Sequence, residues 1–253
     1  MDAGIVTVGN ELLAGDIENT NATWLADELT GRGVDVARIV VVPDDEPVLA
    51  ETIRSWRERF DAVLVTGGLG GTPDDVTMDA VAAGLDRDLI VDPVAEADVR
   101  ETIERIFEEN PDLDFDLRAE WYASMPAGAT PIPNPEGLAP GCVVDDVYVL
   151  PGIPEEMRAV FENVAGDFAG EVATQTLYSP EPEGALASVL GAVAERFGVR
   201  VGSYPNRDAS HTRLKVTGDD EATVTDAVEW LRAEADLELT LAEEWGDAVE
   251  ETL

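Results

Sequence analysis

The chain has little of what metal and redox sites are usually built from. Its 253 residues include one cysteine, Cys142, and one histidine, His211. A single cysteine excludes an internal disulfide and any site that needs several thiolates. A single histidine argues against a metal held by a cluster of imidazoles. Carboxylates are therefore the side chains from which a metal site would have to be built.

Basic residues are also scarce. Sixteen Lys and Arg stand against 54 Asp and Glu, for a net charge of -38, and Lys215 is the only lysine. Such repulsion destabilises a compact fold in dilute buffer, whereas molar salt, with a Debye length of about 3 Å, screens it. Because the acids are spread along the whole chain, we favour a halophilic, archaeal-type composition over a surface that mimics a polyanion. Without a basic or aromatic-rich stripe, no nucleic-acid partner is expected.

Long apolar runs are missing too. None approaches the roughly 20 residues that span a bilayer, and no charged-then-apolar leader precedes the first predicted strand. Apolar residues nevertheless make up 45% of the chain, which is enough for a sizeable core. We therefore expect a soluble, cytoplasmic protein of one large or two ordinary domains, with no membrane partner.

Strand and helix patterns alternate in the first part of the chain. Short β-branched runs predict strands at residues 4–9, 34–42 and 62–66, and helical spacing predicts helices at 21–29 and 47–59. This alternation is typical of βαβ units, so we expect an α/β fold with a mostly parallel sheet and helices on both faces. Later segments are predicted as helices at 76–85, 93–110, 116–124 and 155–164, an extended segment at 129–135, and a hairpin of 142–144 with 147–150.

The remainder predicts a smaller second module. We place the first domain at residues 1–168, an α+β module at 169–241 and an acidic tail at 242–253. The module's elements follow the order βαββα of a ferredoxin-like fold, with predicted bounds of 172–178, 184–197, 199–204, 212–217 and 221–235.

Three loops are expected to converge in the first domain. They follow the first three predicted strands, at residues 9–21, 43–46 and 67–75. In open parallel sheets, ligands bind outside the carboxyl ends of the strands. The sequence therefore predicts a binding site where these loops meet.

The third loop is rich in glycine and reads Thr66-Gly67-Gly68-Leu69-Gly70-Gly71-Thr72-Pro73-Asp74-Asp75. Glycines between a strand and a helix allow backbone N–H groups to approach phosphate oxygens. The loop is neither a Walker A motif, which needs Lys-Ser/Thr, nor a GxGxxG turn, because Pro73 replaces the third glycine. A purely structural turn remains the alternative.

Carboxylates flank these loops. One member of the pair Asp74-Asp75 is expected to cap the following helix, and the other to hold a divalent metal or orient a water molecule. Asp44 either belongs to a turn at the start of a helix or faces Asp75 to form a metal-binding pair. In the first loop, Asn19 or Thr20 would cap a helix, while Glu11 and Asn21 offer polar contacts to a ligand.

Six motifs occur in an order that resembles a known family. They are residues 8–13 with 19–21, 66–70, 74–77, 134–137, 139–141 and 150–154. This order resembles the amino-terminal domain of the competence/damage-inducible protein A (CinA) family, within the MoaB/Mog molybdopterin-binding superfamily. The resemblance covers about residues 1–165, and the second module resembles the small α/β domain that follows in that family.

The resemblance implies a three-layer α/β/α domain and a homo-oligomer. Superfamily members bind or adenylylate molybdopterin, and relatives of the CinA domain are credited with metal-dependent cleavage of ADP-ribose or FAD. The family pattern implies that Asp44 and Asp75 are the catalytic and metal-binding carboxylates. It implies Mg²⁺, Mn²⁺ or Co²⁺ as cofactor, with K⁺ as a further candidate. The ligand contacts expected for a nucleotide or molybdopterin are Glu11, Asn21, Thr66, Gly67, Gly68, Gly70, Gly71, Thr72, Pro151 and Gly152.

Three readings of the function follow. The first is hydrolysis of a nucleotide pyrophosphate, the second is adenylyl transfer to molybdopterin, and the third is a non-catalytic nucleotide- or pterin-binding module. Gly71 stands where the family usually has proline, which predicts a more flexible loop, and Ile153 replaces a proline of the family's Pro-Gly-Pro-Pro. No segment matches the nicotinamide-mononucleotide deamidase domain of longer members, so that activity is not expected.

Overall fold

The computed structural model describes residues 1–109, 117–206, 211–234 and 239–241. The ends of three predicted helices, at residues 110, 116 and 235, and the acidic tail 242–253 lie outside the described residues. The chain divides into two compact units: residues 1–29 with 34–169, and residues 30–33 with 170–253.

The described residues of the first unit form eight strands. They are β1 (Asp2–Val8), β2 (Asp35–Val42), β3 (Ala62–Thr66), β4 (Leu89–Val91), β5 (Ser124–Pro126), β6 (Thr130–Ile132), β7 (Gly141–Val144) and β8 (Val147–Leu150). The main sheet has the order β2-β1-β3-β8-β7-β6. Its first four strands are parallel, whereas β7 runs antiparallel to both β8 and β6. The mostly parallel sheet and the predicted hairpin are both confirmed.

Helices cover both faces of this sheet. They are α1 (Asn10–Ala14), α2 (Thr20–Gly31), α3 (Glu46–Trp56), α4 (Thr77–Gly84), α5 (Pro93–Glu109), α6 (Ala119–Tyr122) and α7 (Pro154–Glu162). Successive strand residues point to opposite faces, and both faces are apolar. Val6 and Val65 pack in the same core as α3 and α4, while Ile5 and Leu64 pack in a second core with α2 and α7. The arrangement is a three-layer α/β/α domain, as the family resemblance implies.

Two local predictions in this unit are wrong. Instead of a helix over residues 116–124, α6 is a single turn, and the chain then forms β5, which pairs antiparallel with β4. The Ser124 hydroxyl donates to the carbonyl of Glu120 at 2.7 Å and closes this turn. The partner strand lies more than thirty residues earlier, so local pattern could not reveal the pairing. The first loop also contains α1, which ends at Gly15 with a left-handed φ of 76°.

The second unit is a small α+β fold. Its elements are β9 (Ala173–Ser179), α8 (Glu183–Phe197), β10 (Arg200–Asn206), β11 (His211–Gly218), α9 (Glu221–Glu234) and β12 (Thr240–Leu241). The sheet is antiparallel in the order β10-β11-β9-β12. The element order βαββαβ is that of a ferredoxin-like fold, with β12 as a strand the sequence did not predict. None of the described helices is long and apolar enough to cross a membrane.

Candidate functional site

A cleft of about 590 Å³ lies at the carboxyl edge of the parallel sheet. The four parallel strands end there, at Val8, Val42, Thr66 and Leu150. The loops that follow β1, β2 and β3 all contribute to its wall, as expected from the topology. A fourth loop, residues 151–154 after β8, joins them. The volume is within the range usual for small-molecule sites.

Most of the expected site residues line this one cleft. They are Glu11, Asn21, Asp44, Thr66, Gly67, Gly68, Gly70, Asp75, Pro151 and Gly152. Gly71 and Thr72 are not part of its lining. The N–H of Thr72 donates instead to Asp75, and Gly71 leaves room for the hydroxyl of Tyr122. The additional lining includes Asp74, Tyr122 and Glu156, which sequence reasoning did not propose as ligand contacts.

Asn21 ties three of the loops together. Its Nδ2 donates to the carbonyl of Gly152 at 2.7 Å and to Oγ1 of Thr66 at 3.2 Å. The Thr66 hydroxyl in turn donates to the carbonyl of Pro151 at 2.6 Å. Oδ1 of Asn21 is buried and has no hydrogen-bond partner among the described residues. Because buried acceptors are nearly always satisfied, this oxygen is suited to accept a hydrogen bond from a ligand or a water molecule in the cleft.

The glycine loop has backbone conformations that side chains disfavour. Gly67 and Gly68 have φ values of 104° and 64°. A Cβ added to Gly67 would collide with the carbonyl oxygen of Val8, and one added to Gly68 would lie 2.5 Å from Oγ1 of Thr77. Thr77 closes the turn, since its hydroxyl donates to the Gly67 carbonyl at 2.8 Å and its N–H to the Gly68 carbonyl at 3.2 Å. These two glycines are therefore needed for the turn itself.

Asp75 is fixed against the loop rather than at a helix end. Its Oδ2 accepts hydrogen bonds from the N–H of Thr72 at 2.8 Å and is 2.6 Å from the Thr72 hydroxyl. The expected helix cap by Asp74 or Asp75 is wrong, because α4 starts at Thr77 and the residue before it, Val76, makes no side-chain cap. Both carboxylates thus lie in the turn that precedes the helix. The hydrogen bond from Thr72 lowers the pKa of the Asp74 carboxyl below its usual value.

Asp44 and Asp45 have separate roles. Asp45 is the cap of α3, because its Oδ1 accepts the N–H of Val48 at 3.0 Å. Asp44 instead reaches the first loop, where its Oδ2 accepts the N–H of Asn10 at 2.8 Å. The turn-and-cap interpretation of this acidic loop therefore applies to Asp45, while Asp44 connects two loops at the cleft. In the first loop Asn19 caps α2, with its Oδ1 accepting the N–H of Ala22 at 3.2 Å.

The carboxylates of the cleft do not form a ready-made metal cage. Among the described residues, no group of three or more Asp, Glu, His or Cys side chains is arranged to hold a metal ion. Mg²⁺ is commonly bound through one or two carboxylates together with waters and substrate phosphates. Asp44 and Asp75, each with one oxygen engaged by the backbone, fit that second mode. A cation arriving with a phosphate ligand would also offset the negative charge of the cleft.

The first unit matches a known protein family. Residues 4–169 match the model described as a probable molybdopterin binding domain. The chain belongs to this family. Residues 171–244 match a second model, the FAD synthase middle domain, so the second unit is similar to a module known from that enzyme.

Several proteins from other organisms are similar to this chain. A protein from Pyrobaculum arsenaticum is 48% identical over 166 residues, which are 64% of this chain and 60% of that protein. A protein from Archaeoglobus fulgidus is 34% identical over 230 residues, covering 90% of this chain and 95% of that protein. The crystal structure of CinA, of unknown function, from Thermoplasma acidophilum has a TM-score of 0.59 and 36% identity, covering 66% of this chain and 97% of that one. The molybdopterin binding domain of this chain is therefore CinA-like.

Two residues of this domain that line the cleft were not predicted as site residues from the sequence. Glu156 in α7 accepts a hydrogen bond from Nδ2 of the buried Asn134 at 2.7 Å, which holds its carboxylate at the cleft. Tyr122 in α6 lies beside Asp75, and burial, together with the Asp75 charge, raises the pKa of its phenol. For Glu156 the signal was available, since the 134–137 motif and the acidic start of α7 were both visible. For Tyr122 no local pattern pointed to the site.

Thr66→Val tests whether the hydrogen bonds at the ends of β3 and β8 stabilise the molybdopterin binding domain. The change keeps the side-chain shape but leaves the Pro151 carbonyl and Nδ2 of Asn21 each without one partner. Thr66 is only 1% exposed, so we expect a loss of about 1–3 kcal/mol in the free energy of unfolding. Urea unfolding at fixed molar KCl would measure it. Thr52→Val, which removes a hydrogen bond within α3, is the control, and equal losses in both variants would contradict the assigned role.

Proposed function

We propose that this protein hydrolyses the pyrophosphate bond of a nucleotide such as ADP-ribose or FAD, with a divalent metal that binds together with the substrate. The observation that carries the proposal is the position of Asp75, whose carboxylate is held against the glycine loop by Thr72, in the same cleft as Asp44. The CinA-like assignment supports the same choice.

The chemistry requires a water molecule and charge compensation. Water attacks one phosphorus atom, the bond from that phosphorus to the bridging oxygen breaks, and the bridging oxygen leaves with the other phosphate. ADP-ribose would give AMP and ribose 5-phosphate, and FAD would give AMP and FMN. A divalent metal, when bound, supplies positive charge to the phosphate oxygens. Asp75 and Asp44 would hold it and orient the water, while glycine-loop N–H groups would bind the phosphates.

Other polar groups of the cleft would position the rest of the substrate. The buried and unpartnered Oδ1 of Asn21 would accept a hydrogen bond from a ribose hydroxyl or a ring amine. Glu11, in the first turn of α1, lines the same cleft and offers a second acceptor. Both are suited to a ligand rich in hydrogen-bond donors, which describes the sugar and the pterin equally.

The test is a substrate panel in molar KCl. We expect release of AMP from ADP-ribose or FAD in the presence of Mg²⁺, Mn²⁺ or Co²⁺, and none when the metal is removed with EDTA. High salt is part of the assay because we also propose that the charge of -38 is a halophilic adaptation. If no nucleotide of the panel is cleaved, the hydrolase proposal fails.

A second candidate is favoured by the family match to a probable molybdopterin binding domain. Here the cleft would bind molybdopterin and transfer an adenylyl group to it, or would bind a pterin or nucleotide without catalysis. A saturable rise in melting temperature with a panel ligand that is not cleaved would favour this candidate over hydrolysis. We further propose that the protein works in the cytoplasm and that it forms a homo-oligomer. Sedimentation in molar KCl would test the oligomeric state.

A further inference from the structure

A second cleft, of about 500 Å³, adjoins the first one across the glycine loop. The wall between them is shared, because the same residues line both: Gly68, Leu69, Gly70, Asp75 and Tyr122. We call this second space the side cleft. A phosphate chain lying over the glycine loop would therefore have one cleft on each side of it.

The lining of the side cleft differs from that of the main cleft. Beyond the shared wall it is built from α6 with the preceding Arg118, from the β4–β5 ribbon, from Met78 and Asp79 of α4, and from Pro140. Trp121 is 44% exposed there, and the guanidinium of Arg118 lies 5.4 Å from the centroid of its indole ring. Leu89 and Val91 of β4 face the same space, whereas Ile90 between them does not line it. The result is a pocket with apolar walls and an aromatic plate, together with one cation, Arg118, and three carboxylates, those of Asp75, Asp79 and Glu120.

Trp121, Leu89 and Val91 are 44%, 37% and 41% exposed, and contiguous apolar patches commonly mark binding sites. An indole face stacks well on a planar heterocycle. Arg118 lies 5.4 Å from the indole centroid, too close for a ring to lie between them, so a bound ring would stack on the indole face that Arg118 does not cover. Stacking of a base on an aromatic side chain is sequence-tolerant and strong enough to dominate the binding of a nucleotide half.

Gly71 and Tyr122 make a close contact near the wall that the two clefts share. A Cβ on Gly71 would overlap the hydroxyl of Tyr122, so the glycine allows the phenol to approach the loop. Tyr122 and Trp121 are neighbours on α6, and Tyr122 forms part of the shared wall while Trp121 faces the side cleft only. Gly71 replaces the proline usual in the resembled family. It thus allows Tyr122, and with it the neighbouring Trp121, to lie close to the glycine loop.

We propose that the side cleft binds a planar heteroaromatic ring, adenine or isoalloxazine, of the substrate, stacked on Trp121. This rests on the function proposed above, and divides the substrate across the glycine loop. The ring lies in the side cleft, the phosphates lie over residues 67–71 near Asp75, and the remaining polar half lies in the main cleft beside Asn21. Adenine and isoalloxazine share the chemistry that the cleft recognises, and the experiment below separates them.

The experiment measures the binding of three phosphate monoesters that the enzyme cannot cleave at a pyrophosphate. AMP carries adenine, FMN carries isoalloxazine, and ribose 5-phosphate carries no ring. Dissociation constants are measured by calorimetry in molar KCl with Mg²⁺. We expect AMP or FMN to bind at least about tenfold more tightly than ribose 5-phosphate, and Trp121→Ala to remove that difference. The ring that loses affinity identifies the natural half.

Two further variants complete the design. Trp121→Phe keeps an aromatic plate and should retain most of the difference, whereas Ile90→Ala, an exposed residue of the same ribbon outside the cleft, should leave all three constants unchanged. Equal affinities for the three ligands, or a full ring preference in Trp121→Ala, would overturn the side-cleft proposal. Circular dichroism of each variant confirms that the fold is kept.

Cleavage is measured separately, so the two proposals can fail independently. If the wild-type protein cleaves no pyrophosphate but Trp121→Ala loses its ring preference, the ring subsite stands and the hydrolase function falls. If ADP-ribose or FAD is cleaved while Trp121→Ala binds AMP and FMN as the wild type does, the hydrolase stands and the ring subsite falls.

Discussion

Asp75→Asn should abolish pyrophosphate cleavage while leaving the fold intact. The asparagine amide oxygen can still accept the hydrogen bond that Oδ2 of Asp75 receives from the N–H of Thr72, so the loop keeps its shape. What is lost is the negative charge that would hold a metal or orient the attacking water. Groups that act directly on the reacting atoms contribute about 10²–10⁴-fold in rate, and we expect a loss of that size. The measurement is the initial rate of AMP release from ADP-ribose or FAD.

A matched control separates this charge from the general acidity of the chain. Asp86 follows α4 with a positive φ of 52°, a conformation that asparagine accepts as readily as aspartate. Its side chain is 90% exposed and lies away from the cleft lining. Asp86→Asn should cleave at the wild-type rate and melt at the wild-type temperature. An Asp75→Asn variant that cleaved as fast as Asp86→Asn would refute the role of Asp75.

The architecture of the first domain was predictable from the sequence because its signals are strong and local. A continuous apolar run such as residues 62–66 has to be buried on both faces, and that is the property of a central parallel strand. Once the strands are parallel, their carboxyl ends must share an edge, so loops far apart in sequence converge there. The cleft follows from topology before any side chain is considered.

The residue that caps a helix was not predictable, because it depends on the exact residue at which the helix begins. Asp44 and Asp45 are adjacent, yet only Asp45 caps α3, because the helix begins at Glu46. Asp44 then points to Asn10, a contact made by tertiary approach of two loops. Asp74 and Asp75 fail as caps for the same reason, since α4 begins at Thr77. Local pattern identifies an acidic helix start but not which carboxylate serves it.

The side cleft could not be predicted from the sequence for a different reason. The sequence pattern predicts a longer helix around Trp121 and no element at residues 89–91. The pocket exists because β4 and β5 pair across more than thirty residues and bring α6 to the glycine loop. Non-local pairing of two three-residue strands carries no periodic signal.

The glycine loop had two interpretations from the sequence, a structural turn and a phosphate-binding loop. The two are compatible, because Gly67 and Gly68 are needed for the turn that would present the N–H groups.

Asp44→Asn and Asp44→Ala should both slow cleavage, but only the alanine variant should also loosen the first loop. Asparagine can still accept the hydrogen bond from Asn10 that Oδ2 receives at 2.8 Å, so this variant removes charge alone. If the charge helps to hold a metal at the substrate phosphates, turnover should fall by about 10²-fold, with saturation at higher metal concentration. Alanine removes the acceptor as well, and we expect an additional loss of about 1 kcal/mol in the free energy of unfolding.

The neighbouring residue provides the control for this pair. Asp45→Asn changes charge by the same amount one position along the chain, and asparagine caps a helix as well as aspartate does. Its cleavage rate, metal dependence and melting temperature should match those of the wild type. If Asp44→Asn behaved like Asp45→Asn while Asp44→Ala alone lost activity, Asp44 would serve only to anchor α1. The metal and the water would then have to be positioned by Asp75 with the substrate phosphates, because Mg²⁺ can be held through a single protein carboxylate.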